Sequence, residues 1–154
     1  MERKIFFNDL KPGDTLAAGG FEVTRDDIIR FARRYDPRPY HTDEDSARSS
    51  IFGGLVASGA QTLAIWNSLR FQAENGLAQL ATLSLDGVHY NAPVRPDDCL
   101  RLEAEVVSCQ RSLRKPDRGV VKFQHGLINQ DDVRVMDAEV NLLVAKDTPN
   151  DWVF

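Results

Sequence analysis

Cysteine is scarce: Cys99 and Cys109 are the only two in 154 residues. They form no C-x-x-C pair, so neither a disulfide-framed miniature domain nor a zinc ribbon is expected. Two free thiols on strands are the simpler expectation. Long apolar runs are missing as well, and nothing approaches the roughly 18 residues of a membrane span. At the start, Asn8 and Asp9 cut short the apolar stretch Ile5-Phe6-Phe7, so no signal-peptide core forms and a cytoplasmic protein is expected. Excess positive charge is absent: 19 basic residues face 23 acidic ones, for a net charge of −4. A broad basic face, and with it duplex nucleic acid as a partner, is therefore not expected. The chain has no repeat, no low-complexity tract and no Pro/Gly/Ser linker. It also has no Gly-rich phosphate loop, no G-x-S-x-G elbow and no metal-ligand run, which argues against kinase, Rossmann and serine-hydrolase readings.

What is present is the balance of one ordinary globular domain over residues 1–154, with 42% hydrophobic and 27% charged residues. A short strand is predicted near Phe21-Glu22-Val23. Thr24 is a good N-cap, with Asp26 and Asp27 in the first turn, for a helix placing Ile28, Phe31, Ala32 and Tyr35 on one face. Pro37 and Pro39 end that helix at about Tyr35. A second short helix is predicted to start after Thr42 as its N-cap. A longer one runs from about Gly59 to Asn75, with Gly76 as its C′ residue. Leu63, Ala64, Ile65, Trp66, Leu69, Phe71 and Ala73 make this helix apolar nearly all round, which implies a buried helix against a sheet. Glu74, late in it, is expected to face solvent.

The second half reads as strands: Thr82–Leu85, Val88–Tyr90, the alternating Leu100, Leu102, Ala104 and Val106, then Val121, Phe123 and Leu127, and finally Val133–Ala145. Val94–Asp98 and Gln130–Asp132 are turns, and Ser112–Gly119 is a basic loop. His89 and His125 fall within strand patterns and are expected to be ordinary sheet histidines. The tail Asp151-Trp152-Val153-Phe154 offers two aromatics to pack on the body or a partner. Short connections imply antiparallel pairing, and the fold class is α+β.

Chemistry concentrates in Asp36-Pro37-Arg38-Pro39-Tyr40-His41. Two prolines stiffen the segment that separates a carboxylate from an imidazole, so both side chains can be held at one spot. Histidine is the side chain best suited to exchange a proton near neutral pH. Asp36 just past a helix C-terminus, where the dipole disfavours negative charge, suits a general base. On spacing alone, an ordinary turn capped by Asp36 is slightly favoured over a catalytic pair. The second signal is Ser58-Gly59 at the start of the long helix. Free N–H groups there can hold a developing oxyanion, while the glycines can equally serve close packing.

Asp36-x-x-Pro39-x-His41-x5-Ala47, followed by Phe52-Gly53-Gly54-Leu55-Val56-Ala57-Ser58-Gly59 and the turn Ala92–Asp98, resembles the MaoC-like dehydratase family, the (R)-specific enoyl-CoA hydratase type. The resemblance runs from about Phe6 to Ala145. It implies a hot-dog fold, a long central helix wrapped by a curved antiparallel sheet. It also implies hydration of a trans-2-enoyl thioester to the (R)-3-hydroxyacyl thioester, or the reverse, on CoA or an acyl carrier protein. Asp36 and His41 would activate one water, and the Gly59 N–H would bind the thioester oxygen. No metal or redox cofactor is needed, and a homodimer with its acyl tunnel near the subunit interface is expected.

Three positions depart from the family pattern: Arg38 stands where Asn is usual, Ser58 where His is frequent, and Asn67 where a Ser is common. Arg38 is expected to reach an acyl carboxylate or a CoA phosphate, or else to point to solvent. Ser58 and Asn67 are candidate substrate contacts. Arg114 and Arg118, with Arg111 and Lys115, are candidates for a phosphate clamp or a plain solvated loop. Two rival readings remain: a hot-dog thioesterase, which lacks a carboxylate in the first half of the long helix, and an acyl-thioester binding protein without turnover.

Overall fold

The computed structural model describes residues 3–148. Five antiparallel strands form one sheet in the order β1-β3-β4-β5-β2. The strands are β1 (Thr15–Glu22), β2 (Gln79–Tyr90), β3 (Cys99–Arg111), β4 (Arg118–Ile128) and β5 (Arg134–Ala145), and the helices are α1 (Arg25–Tyr35), α2 (Pro39–Thr42), α3 (Glu44–Arg48) and α4 (Gly59–Glu74). All four helices lie between β1 and β2, and α4 packs on the inner face of the sheet through Ile65, Trp66 and Leu69. The fold is α+β, a helix held by an open antiparallel sheet. Among the described residues no helix is long and apolar enough to cross a membrane. Trp152 and Phe154 lie outside the described residues.

The sheet is built as its sequence pattern requires. In β3, Leu100, Leu102, Ala104 and Val106 are buried while Glu103 and Glu105 are exposed. In the interior strands β4 and β5, Phe123, Leu127, Met136, Val140 and Leu142 are wholly buried. Register shifts at Gly19/Phe21 in β1, at three places in β2 and at Val106/Ser108 in β3 mark the bulges that bend such strands.

Several local expectations are corrected. β1 begins at Thr15 rather than near Phe21, because pairing with β3 supplies the order that Ala17-Ala18-Gly19-Gly20 does not signal by pattern. β2 is one strand rather than two, continuous through Gly87 at φ 56° with a register shift between Asp86 and His89. Thr42 ends α2, and the cap of α3 is Asp43, whose carboxylate accepts the Ser46 N–H at 2.8 Å. Gly76 follows the α4 cap residue Asn75 but is not left-handed. Its carbonyl accepts the Ile5 N–H instead, strapping the helix exit to the N-terminal segment.

The face of α1 against the core is Ile28, Ile29 and Ala32, and Tyr35 remains 60% exposed. α4 is not buried all round either. The sheet covers one side, while Ala60, Ala64, Asn67, Ser68 and Phe71 form an open stripe. Glu74, expected in solvent, is only 5% exposed, because it lies on the covered side one turn beyond Arg70, whose Nε donates to it at 2.8 Å.

Candidate active site

The Asp36–His41 segment folds locally. Thr24 caps α1 by accepting the Asp27 N–H, and the helix stops where Pro37 and Pro39 deny it further donors. Asp36 is the C-cap, its N–H donating to Ala32 O at 2.9 Å. Arg38 N–H returns to Asp36 O at 2.8 Å, Pro39 opens α2, and His41 N–H reaches Arg38 O at 2.9 Å. This tight path brings His41 Nε2 to 3.7 Å from Asp36 Oδ2.

Each partner is held from its other side. His41 is 6% exposed, with Nδ1 2.6 Å from the Val56 carbonyl. A carbonyl only accepts, so Nδ1 carries a proton, and Nε2 is the ring nitrogen that faces Asp36. The Tyr40 ring packs edge-on against the imidazole, with centroids 4.5 Å apart. The other Asp36 oxygen, Oδ1, accepts from the Arg38 guanidinium. Arg38 stays 61% exposed, and its guanidinium turns back onto the candidate carboxylate.

The glycine enters from α4. Ala57 N–H donates to Val94 O at 2.8 Å and ties the helix entrance to the Ala92–Asp98 segment. The first helical bond of α4 runs from Thr62 N–H to Ser58 O, so the Gly59 and Ala60 amides precede the internal ladder. A Cβ on Gly59 would meet the Tyr90 ring at 3.0 Å, so glycine lets the helix start and the ring approach this closely without either giving way. Asp36, Arg38, His41, Gly59, Thr62 and Tyr90 line a common cleft of about 640 Å³. Tyr90, which sits at the end of β2, gave no sign of this position in the sequence. Burial raises its phenol above the ordinary value.

Other predicted site residues stand elsewhere. Ser58 is fully buried, and its hydroxyl accepts the Gln61 N–H as the α4 cap, so it faces the helix rather than the cleft. Asn67 is exposed beside Phe71, Asn75 and Leu80 in a different hollow, because eight residues of helix separate it from Gly59. Arg118 starts β4 opposite Ala145, whereas Tyr90 pairs with Met136, nine residues back along β5. That is roughly 30 Å of strand, so Arg118 and the exposed Arg114 lie at the opposite end of the sheet from the cleft. Arg118 forms a two-pronged contact with Asp117.

A second polar group, buried inside the core, was missed because its members come from distant parts of the chain. Trp66 Nε1–H donates to His125 Nδ1 at 3.1 Å, and His125 Nε2 lies 3.7 Å from Glu74 Oε1. Burial, with the nearby Arg70 charge, lowers the His125 pKa to about 3, so the ring is neutral. Glu74 is pushed up by burial, partly offset by Arg70. Arg70 also reaches Thr82 Oγ1 at 2.5 Å. Among the described residues no three His, Cys, Asp or Glu side chains gather as a metal site.

The cleft thus brings a carboxylate and an imidazole within 3.7 Å of each other, beside backbone amides at a helix start that precede the helical ladder. The model of the "MaoC like domain" family matches residues 9–125. The uncharacterized protein YdeM of Bacillus subtilis is 32% identical over 137 residues, covering 87% of this chain and 94% of that one. The crystal structure of a MaoC-like dehydratase from Rhodospirillum rubrum is 32% identical, with a TM-score of 0.84 over 94% of this chain and 99% of that one. An (R)-hydratase from A. caviae involved in PHA biosynthesis, at 18% identity and a TM-score of 0.69 over 86% of this chain and 96% of that one, shares the fold.

Proposed function

Since the chain belongs to the MaoC-like dehydratase family, we propose that it hydrates trans-2-enoyl thioesters to (R)-3-hydroxyacyl thioesters, or catalyses the reverse dehydration. The observation that carries this reading is the 3.7 Å approach of His41 Nε2 to Asp36 Oδ2 in one cleft with Gly59. A water resting against this pair donates a hydrogen bond to the Asp36 carboxylate, which leaves an oxygen lone pair free for attack. His41 Nε2 takes a proton as the oxygen attacks Cβ. The thioester oxygen gains negative charge, which the Gly59 N–H stabilises, and the proton taken up from the water is then passed to Cα as the enolate collapses, so that one water is added across the double bond. The acid–base pair is worth about 10²–10⁴ in rate and a single oxyanion donor about 10²–10³.

The substrate is presented on CoA or an acyl carrier protein, and the working form is a homodimer. Exposed Phe71 at 72% and Leu83 at 52%, beside the unpaired edge of β2, support the second point. The thioesterase alternative loses ground because the buried carboxylate of α4, Glu74, faces His125 rather than the cleft. A binding protein without turnover is favoured by one observation, the Arg38 guanidinium on Asp36, which competes with water for the carboxylate.

The test is loss of the conjugated enoyl-thioester absorbance with crotonyl-CoA and a longer enoyl-CoA. Turnover that disappears in His41→Ala and Asp36→Ala, with melting retained, supports hydration. Saturable binding with no spectral change selects the binding protein, and release of free thiol selects the thioesterase.

A further inference from the structure

Besides the imidazole, the candidate cleft carries two formally charged side chains, Asp36 and Arg38. A guanidinium has five N–H donors. Among the described residues, that of Arg38 places one nitrogen, Nη1, on Asp36 Oδ1, and the side chain stays 61% exposed. Other donors around the cleft are committed. His41 Nδ1 faces the Val56 carbonyl, Thr62 Oγ1 donates to Ser58 O at 3.1 Å, and Asn91 Nδ2 donates to Asp137 at 2.7 Å. Tyr90 stands against Gly59, at the end that would hold the thioester oxygen. Arg38 is thus the side chain with donors to spare at the Asp36–His41 end.

The chemistry fixes which part of a bound substrate meets these donors. The attacking water rests against Asp36, and reacting atoms stand about 3–3.5 Å apart. Cβ therefore lies next to the carboxylate that Arg38 touches, and a group bonded to Cβ comes within reach of the free edge of the guanidinium. The phosphates of CoA lie the whole length of the pantetheine arm from that carbon, so they are not what Arg38 meets. Phe52, Val56 and Val94 form apolar wall, which offers a charged substituent no other counterion.

We propose that the cleft takes an enoyl thioester whose Cβ carries a carboxylate, a trans-butenedioic monothioester, and that Arg38 selects it over the plain alkyl analogue. The proposal rests on the reading of the cleft as a hydratase site. A carboxylate on Cβ can take two parallel N–H bonds from the guanidinium. Arg38 then stands between two anions, the substrate's and Asp36, that would otherwise repel each other at close range. Addition of water forms a C–O bond at Cβ and a C–H bond at Cα, and the product is the thioester of a hydroxylated four-carbon diacid. A methyl at the same place, as in a crotonyl group, gives Arg38 nothing to bind.

Calorimetric binding of succinyl-CoA and butyryl-CoA tests this. Both acyl groups are saturated and equally long, and they differ in ending on a carboxylate or a methyl. Wild type is expected to prefer succinyl-CoA by about tenfold or more. Arg38→Asn is expected to cut the succinyl-to-butyryl affinity ratio by about tenfold or more, with a melting curve as the folding control. Arg38→Lys, which keeps the charge without the planar fork, is expected to restore part of the ratio. No preference in wild type, or a preference that survives Arg38→Asn, overturns the proposal. Hydration of fumaryl-CoA and crotonyl-CoA, followed alongside, separates the two readings. Hydration without the succinyl preference sinks the carboxylate selectivity alone. The expected ratio change with neither thioester hydrated sinks the hydratase alone. Absence of binding by either saturated thioester, with no hydration, overturns both.

Discussion

His41 Nε2 stands 3.7 Å from Asp36 Oδ2, while Nδ1 of the same ring lies 2.6 Å from the Val56 carbonyl. The second contact explains the first. A carbonyl can only accept, so it holds a proton on Nδ1 and leaves Nε2 facing the carboxylate. The segment that supplies this carbonyl also leads into α4, so one stretch of chain sets both the orientation of the imidazole and the position of the Gly59 amide.

If that pair activates water, His41→Ala and Asp36→Asn each lower kcat for enoyl-CoA hydration by about 10²–10⁴. Steady-state rates at saturating substrate, with thermal melts as a folding control, check this. A variant retaining near wild-type kcat removes its residue from the chemistry.

Gly59→Ala places a methyl 3.0 Å from the Tyr90 ring. The ring or the helix start must shift, and kcat/KM is expected to fall at least tenfold. Truncating the ring in Gly59→Ala/Tyr90→Ala makes room and restores part of that loss. A double variant no better than the single one locates the damage elsewhere.

Stability is expected to fall in acid through His125. Its folded pKa, lowered to about 3, lies below the unfolded value of about 6.5. The unfolded chain therefore binds a proton that the folded one refuses. This contribution is complete above about pH 6.5 and lost progressively toward pH 3, by up to about 5 kcal/mol. Glu74 works in the opposite sense: burial raises its pKa, so its contribution is lost as pH rises. Urea unfolding across pH, comparing wild type with His125→Gln, isolates the histidine. Parallel curves for the two proteins would contradict the assignment.

Removing one partner of the buried Arg70–Glu74 pair leaves an uncompensated charge. Glu74→Ala is expected to cost about 3–5 kcal/mol in urea unfolding. Replacing both residues with apolar ones, as in Arg70→Met/Glu74→Leu, should cost much less than the single change. Equal losses would mean that the pair is held by its surroundings and not by charge.

Light scattering coupled to size exclusion is expected to find a dimer that Phe71→Glu/Leu83→Glu converts to monomer, because both side chains are exposed apolar groups near the β2 edge. Wild type eluting as a monomer would remove the interface.

Much of this protein was legible in its sequence, wherever the physics is short-ranged. The Thr24 cap, the proline-terminated α1 and the alternation along Leu100–Val106 depend on neighbours within a few residues, and each stands where the pattern placed it. The tight path of Asp36–His41 is of the same kind, since two prolines and three local hydrogen bonds define it. Tertiary structure alone decided what covers each helix face and which distant side chains meet. Periodicity marked α4 as apolar but could not tell its sheet-covered side from its open stripe, so Glu74 was read as solvated and Phe71 as buried. Trp66 and His125 are 59 residues apart in sequence and share a hydrogen bond. Arg118 carries the charge expected of a clamp yet starts its strand at the far end of the sheet. Backbone sterics and capping act between neighbours in the chain, whereas burial and charge pairing are properties of position in space, which the sheet order determines.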